Sequence, residues 1–293
     1  MRKISVSGYG YIDRIPMEKS FEMLSRSGVQ AVDFPLYRCV HDMNCYVSGE
    51  GSLMERCAAV RRLAERNGLV IGQTHAPFCY IEESSIEEII HAYEDSIRAT
   101  RLLGADRIVL HPVKFGGCVM DERREECFDL NIKVFREVAP TLRREGVKGL
   151  LENMFAKRIE HGFKKLYPTI YSTGAELARA ADALGADFGV CLDTGHANIT
   201  KEDIPAMVRL LGDRLLALHL HDNTGDRDDH LPPYAGNIAF ADIMSALKET
   251  GYKGNINFEV NFGNVPEEHL LSGFRYLAEI GRAFRSAIDG EAQ

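Results

Sequence analysis

The sequence predicts a single (β/α)8 TIM barrel, and three observations predict it. Short apolar β-type runs alternate with longer amphipathic segments, and the alternation repeats eight times along 293 residues. The apolar runs are nearly continuous, as expected of parallel strands buried on both faces. No tract rich in Pro, Gly or Ser interrupts the alternation, so residues 1–293 read as one domain of ordinary barrel length.

In chain order the predicted strands are KISVSG (3–8), VQAVDF (29–34), LVIGQTH (69–75), RIVLHP (107–112), KGLLEN (148–153), DFGVCLD (187–193), LLALHLH (215–221) and NINFEV (255–260). Between the second and third, SLMERCAAVRRLAERNG places Leu53, Cys57, Val60, Leu63 and Ala64 on one helical face. SSIEEIIHAYEDSIRATRLLG predicts the next helix, with Ser84 or Ser85 as cap, Glu87 or Glu88 closing a capping box and Gly104 ending it. Three connections are long, Pro35–Gly51, Asn153–Thr173 and Asp222–Ala239, and all follow a strand. They therefore fall on the face where barrels keep their chemistry, as lids and pocket walls.

Composition narrows the function classes. A hydrophobic share of 45% with 27% charged residues describes a soluble globular chain. The net charge of -8 is spread along the chain, which argues against a nucleic-acid partner needing clustered cations. The N-terminus has no apolar leader core, and no run reaches the length of a membrane span. Seven cysteines without a CxxC spacing fit a reduced, cytoplasmic setting, as small buried apolar residues.

The stretch CLDTGHAN (191–198) places an acid at a strand end with a histidine three residues on. Alone, Asp193 reads equally as a helix cap or a turn residue. The other strand ends change that. His75, His111, Glu152, Asp193, His219 and Glu259 end six consecutive strands, and barrel strand ends converge on one mouth. So many ionisable groups crowded together call for a counter-ion. Glu152, Asp193, His219 and Glu259 form a set rich in hard oxygen donors, suited to Mn²⁺, Mg²⁺ or Co²⁺ with open positions. Adding His75, His111, His196 and His230 moves the preference toward Zn²⁺.

The ordered segments THAP, LHP, LLEN, LDTGH, HLHDN and DDHLPPYAGNI resemble the xylose-isomerase-like barrel superfamily. That superfamily holds sugar-phosphate isomerases and epimerases and the endonuclease-IV-type apurinic nucleases. In the epimerase branch the resemblance implies one divalent ion on Glu152, Asp193, His219 and Glu259, with Glu152 and Glu259 as the proton-transfer pair and His196 on substrate oxygens. In the nuclease branch it implies three zinc ions. His75, His111 and Glu152 hold the first, Glu152, Asp193, His219 and Glu259 the second, and His196, Asp228 and His230 the third. The loop reads Tyr234 and Gly236 where the sugar branch has Gly-x-Gly. The nuclease's Gly-rich stretch after the fifth strand is replaced by NMFAKRIEHGF.

Singly, several residues keep two readings. His75 and His111 are ligands, core histidines or substrate contacts, and Asp229 competes with Asp228. Of the two histidines in LHLHD, His219 is assigned inward and His221 outward or to a loop contact. Lys157, Arg158, His161, Lys164 and Lys165 form a basic run, a solvated lid face or an anion clamp, with Arg158, Lys164 and Lys165 as substrate contacts. KFGGC, with Gly116 and Gly117, is too weak for a phosphate cradle. Tyr9, Phe34, Tyr37 and Phe78 are read as lining a sugar pocket or as core.

The resulting expectation is a divalent-metal-dependent isomerase or epimerase of a small sugar or sugar phosphate, as a homo-oligomer and without membrane or nucleic-acid partners. One glutamate takes the proton α to the carbonyl and the other returns it, through an enediolate. The alternative is zinc-dependent phosphodiester hydrolysis at abasic DNA.

Overall fold

The computed structural model describes residues 1–290 apart from 9–10, 12–13, 37–51, 82 and 114–122. The described strands are β1 (Ile4–Ser7), β2 (Ala31–Pro35), β3 (Val70–His75), β4 (Arg107–Leu110), β5 (Lys148–Glu152), β6 (Phe155–Glu160), β7 (Phe163–Pro168), β8 (Phe188–Asp193), β9 (Leu215–His219) and β10 (Ile256–Phe258). The helices are α1 (Met17–Ser27), α2 (Leu53–Arg66), α3 (Ile86–Leu103), α4 (Arg124–Glu145), α5 (Gly174–Leu184), α6 (Thr194–Ile199), α7 (Ile204–Leu211), α8 (Phe240–Glu249) and α9 (Glu267–Asp289).

Eight strands fall on the eight predicted runs and pair in parallel in the order β10-β1-β2-β3-β4-β5-β8-β9. The circle closes between β9 and β10 through a parallel bridge of Leu220 to Phe258. There the Leu220 amide donates to Asn257 O (2.9 Å) and the Glu259 amide to Leu220 O (3.1 Å). The chain is thus a single-sheet TIM barrel with helices between its strands.

The helix signals resolve as capping chemistry. Ser52 and Glu55 form a capping box at α2, and Cys57, Val60, Leu63 and Ala64 face the core while Leu53 is only partly buried. At α3 the box is Ser85 with Glu88, and Gly104 ends the helix at φ 90°.

Side chains alternate along a strand, so residues two apart share a face. Val109, Leu150, Cys191 and Ala217 form a small apolar cluster of their own inside the barrel. Each lies two residues before an ionisable residue: His111, Glu152, Asp193 and His219. The strand-end groups therefore stand on an apolar floor. Cys57, Cys79, Cys127 and Cys191 are free and buried, in keeping with a packing role. Cys39, Cys45, Cys118, Tyr9, Tyr37, Gly116 and Gly117 lie outside the described residues.

The connection Asn153–Thr173, expected as a long loop, contains the antiparallel hairpin β6–β7. His161 and Gly162 make its two-residue turn, both at positive φ (50° and 81°), as a primed hairpin turn requires. Among the described residues no helix is long and apolar enough to cross a membrane.

The loop after β9 is fixed by a buried carboxylate. Asp222 Oδ1 accepts from the amides of Asn223 (2.9 Å) and Ile238 (3.1 Å), and Oδ2 from that of Gly236 (2.9 Å). A Cβ on Gly236 would lie 2.4 Å from Asn223 O, so glycine is required there. Tyr234, in contrast, holds φ 72° as a bulky residue in a region that favours glycine. Asp222→Ala removes a charged acceptor from three amides and should cost about 2–4 kcal/mol, at ~1.5–3 kcal/mol for a bond to a charged group without full additivity. Denaturant unfolding of the variant measures it.

Candidate metal centre

Glu152, Asp193, His219 and Glu259, at the ends of β5, β8 and β9 and just past β10, bring one donor atom each within 4.8 Å of one another. Glu152, Asp193 and His219 are fully buried, and Glu259 nearly so. His219 Nδ1 lies 2.5 Å from Glu152 Oε1 and 3.3 Å from Glu259 Oε2. Three buried carboxylates meeting one imidazole make a donor set that fits a divalent cation.

Among the described residues, four further groups overlap or flank this one, two of them Asp33 with His75 and His219, and Glu152 with Cys191 and His219. His75 and His111 join Glu152, with His111 Nε2 3.0 Å and His75 Nε2 3.5 Å from Glu152 Oε2. On the other side His196, His221, Asp228 and His230 form a group of four. His196 Nδ1 donates to Asn153 O (2.9 Å) and His230 Nδ1 to Glu259 O (2.9 Å). Both rings therefore keep Nε2 toward Asp228, whose Oδ1 lies 3.7 Å from His196 and 3.3 Å from His230. Backbone carbonyls orienting the far ring nitrogen are the outer-shell pattern of metal-ligating histidines.

The opening ambiguity of CLDTGHAN resolves as both roles at once. Asp193 caps α6 by accepting from the His196 amide (2.7 Å), and it also stands in the central group. Asn153, given no role in the sequence, clamps it: its side-chain Nδ2 donates to Asp193 O (2.8 Å) and its Oδ1 accepts from the Asp193 amide (2.7 Å).

Glu152, His219 and His230 have their protonation set by their buried neighbours. Burial alone would raise Glu152, yet the His219 charge and bonds from His111, His219 and His75 hold it well below the usual carboxylate range. Burial likewise opposes protonation of His219, and the surrounding acids, Glu259, Glu152 and Asp33 among them, raise it well above an ordinary histidine. For His230 the penalty of burial is outweighed by the bond to Asp228, which lifts it to about 10. Acids held down and histidines held up are the mark of buried groups that pair with one another.

The structure thus brings together every candidate ligand: His75, His111, Glu152, Asp193, His196, His219, Asp228, His230 and Glu259. Of the two placements read for His221, outward packing is corrected and the loop contact is found: the ring is fully buried, donates from Nε2 to Asp193 (2.9 Å) and stacks on the loop residue His230 at 4.0 Å. The reason is strand parity: His219 and His221 are two apart and share the inward face. Asp228 rather than Asp229 joins the cluster, since Asp229 pairs with Arg227 (3.2 Å).

The basic run divides across the hairpin. Register places Lys157, Ile159, Lys164 and Leu166 on the face of Phe155, whose ring packs edge-on against His196 at 5.0 Å. Arg158 and Lys165, both expected as substrate contacts, are on the other face, where Lys165 pairs with Glu160 (3.0 Å). Phe34 is core, whereas Phe78 stacks on His111 at 3.8 Å. Sequence reasoning missed Asp33, a fully buried acid on β2 whose Oδ2 lies 3.0 Å from His219 Nε2. Its only signal was a charge inside the apolar run VQAVDF.

A closed parallel barrel whose strand ends gather acids and histidines in one mouth defines a class of metal-ready barrels. Residues 21–280 match the family described as the xylose isomerase-like TIM barrel, and the chain belongs to it. Among curated relatives, an uncharacterized protein of Sinorhizobium fredii is 29% identical over 177 residues, 58% of this chain and 52% of that protein. The chain thus spans about half the length of that relative. Among solved structures, a D-tagatose 3-epimerase-like protein superposes with a TM-score of 0.75 at 21% identity, covering 99% of both chains. A D-psicose 3-epimerase crystallised in the presence of D-fructose gives 0.72 at 14% identity, covering 98% of this chain and 99% of that one.

Two outcomes follow from the geometry. A Cβ on Gly195 would stand 1.9 Å from His221 Cε1, so Gly195→Ala should destabilise by about 1–3 kcal/mol, and Gly195→Ala with His221→Ala should cost less than the sum. Thermal unfolding of the three variants reads this. Because the folded value of His230 is raised from 6.5 to about 10, its contribution is full below about pH 6.5 and lost as pH rises toward 10. Chelator-treated protein should therefore melt at lower temperature as pH rises through that window, and His230→Asn should flatten the decline.

Proposed function

We propose that the protein is a divalent-metal-dependent isomerase or epimerase of a small sugar, acting at the Glu152, Asp193, His219 and Glu259 centre. The observation that carries the reading is the pairing of two buried glutamates across one histidine, Glu152 at 2.5 Å and Glu259 at 3.3 Å from His219 Nδ1. The sugar 3-epimerases among the structural neighbours support it. These four residues would hold the cation, which when bound supplies Lewis-acid polarisation of a substrate carbonyl.

The chain's own groups would do the rest. Glu152 and Glu259 enter the mouth from β5 and from the end of β10, so they can reach a substrate carbon from different sides. One takes the proton α to the carbonyl and the other returns it. Return to the opposite face of the same carbon is epimerisation; return to the neighbouring carbon is isomerisation. His196, its Nδ1 held by Asn153 O, presents Nε2 toward the mouth for substrate oxygens. Phe155 and Phe78 wall the mouth on two sides, beside His196 and His111. On the Phe155 face of the hairpin, Lys157 and Lys164 are the cations placed to meet an anionic sugar.

A second reading, zinc-dependent phosphodiester hydrolysis at abasic DNA, is favoured by one observation: Glu152 is shared between two adjacent donor groups and a third lies beside them. Counting ions by mass spectrometry on protein purified without chelator or affinity tag separates the two. About one Mn, Co or Zn per chain supports the sugar enzyme. Two or three zincs with cleavage of an abasic duplex would replace it. On a ketose panel, Glu152→Gln should abolish exchange of the substrate α-hydrogen with deuterated water while the far-UV spectrum is unchanged. Retained exchange would remove Glu152 from proton transfer.

A further inference from the structure

Asp33, on β2, is fully buried among other buried polar side chains of the barrel, Gln73 and Asn257 among them. A buried carboxylate is costly unless it is hydrogen-bonded, and here three nitrogens surround one oxygen. Asp33 Oδ2 is 3.0 Å from His219 Nε2, 3.1 Å from Gln73 Nε2 and 3.2 Å from Asn257 Nδ2. We propose that Asp33 is a positioning residue that fixes His219 with its proton on Nε2, so that Nδ1 faces the cation.

The argument is one of donors and acceptors. A carboxylate only accepts, and the amide nitrogens of Gln73 and Asn257 only donate. With a cation in place of the proton at Nδ1, the Nε2–H form of His219 would give Asp33 a donor at 3.0 Å and leave the Nδ1 lone pair for the ion between Glu152 and Glu259. The Nδ1–H form could take a bond from Gln73 Nε2, 3.1 Å away, but would set a lone pair against the Asp33 oxygen. It would also turn a proton toward the ligand space. The carboxylate therefore selects the ligating form and raises the basicity of the nitrogen that faces the ion.

The inference rests on the cation reading of the centre and not on which sugar is used. Wild type and Asp33→Asn are stripped, then titrated with Zn²⁺ against a chromogenic chelator, and the melting temperature of each stripped protein is recorded. The expected result is about 10–100-fold weaker zinc binding in Asp33→Asn, the usual range for loss of such a partner. A purely structural carboxylate would lower the melting temperature and leave the affinity unmoved, and that result would overturn the proposal. In zinc-loaded wild type, long-range ¹H–¹⁵N correlation should show His219 protonated at Nε2 and ligated at Nδ1. The reverse pattern overturns it even if the variant fails to fold. Loss of a whole equivalent of zinc from a two-zinc wild type would make Asp33 a ligand instead, which also overturns it. A wild type that binds no zinc, manganese or cobalt removes the cation reading itself, whereas unchanged affinity in the variant removes this inference alone.

Discussion

Acid groups placed on the axis of a barrel cannot escape to solvent, and the rest of this end of the molecule is arranged around that fact. Asp33, Glu152 and Asp193 are wholly buried, and Glu259 is 4% exposed. Each meets a histidine: Asp33, Glu152 and Glu259 meet His219 of β9, and Asp193 meets His221 just beyond that strand. In a medium of low dielectric an unmatched carboxylate would take up a proton rather than stay charged. The histidines around Glu152 prevent this in the protein alone, and a divalent ion would do so with fewer groups.

Holding so many charged side chains requires that the backbone beneath them be unable to move. Asn153 ties the end of β5 to the end of β8 through two hydrogen bonds. Thr194 Oγ1 donates to His221 O (2.7 Å) and accepts from the His221 amide (3.1 Å), tying β8 to the strand after it. Asp222 gathers the loop that carries Asp228 and His230. The Asn153 and Thr194 contacts are neutral and those of Asp222 are bonds to a carboxylate, and together they leave the imidazoles a small set of orientations. The positive φ of His230 (47°) belongs with them: a strained backbone is retained where it aims a ring at both Glu259 O and Asp228.

What could be read from the sequence was whatever depends on period and on strand ends. Eight apolar runs and their order fix the strands, and the ionisable residues closing six of them mark the mouth. Ser85 with Glu88 shows the limit of such reading: two adjacent serines and two adjacent glutamates offered several boxes, and only the helix phase chooses one. The hairpin was not read from the sequence, because its strands carry too many lysines to stand out as apolar. Asp33 was hidden for the opposite reason. Inside a buried run a single acid looks like an exception, and its role exists only once β9 brings His219 alongside β2. Lys165 was misplaced because a basic run gives no hint of which cations a local acid, here Glu160, will claim.

The barrel has a seam. Seven of its eight strand contacts are ladders of two or more residue pairs, while β9 and β10 meet through one bridge, Leu220 with Phe258. The residues beside that bridge are His219 on one side and Glu259 on the other. An ion shared by them would act as a clasp across the weakest join of the circle, completing with coordinate bonds what the backbone completes with two hydrogen bonds. Loading the metal and sealing the barrel would then be one event, and the catalytic ion would double as the last stave of its own container.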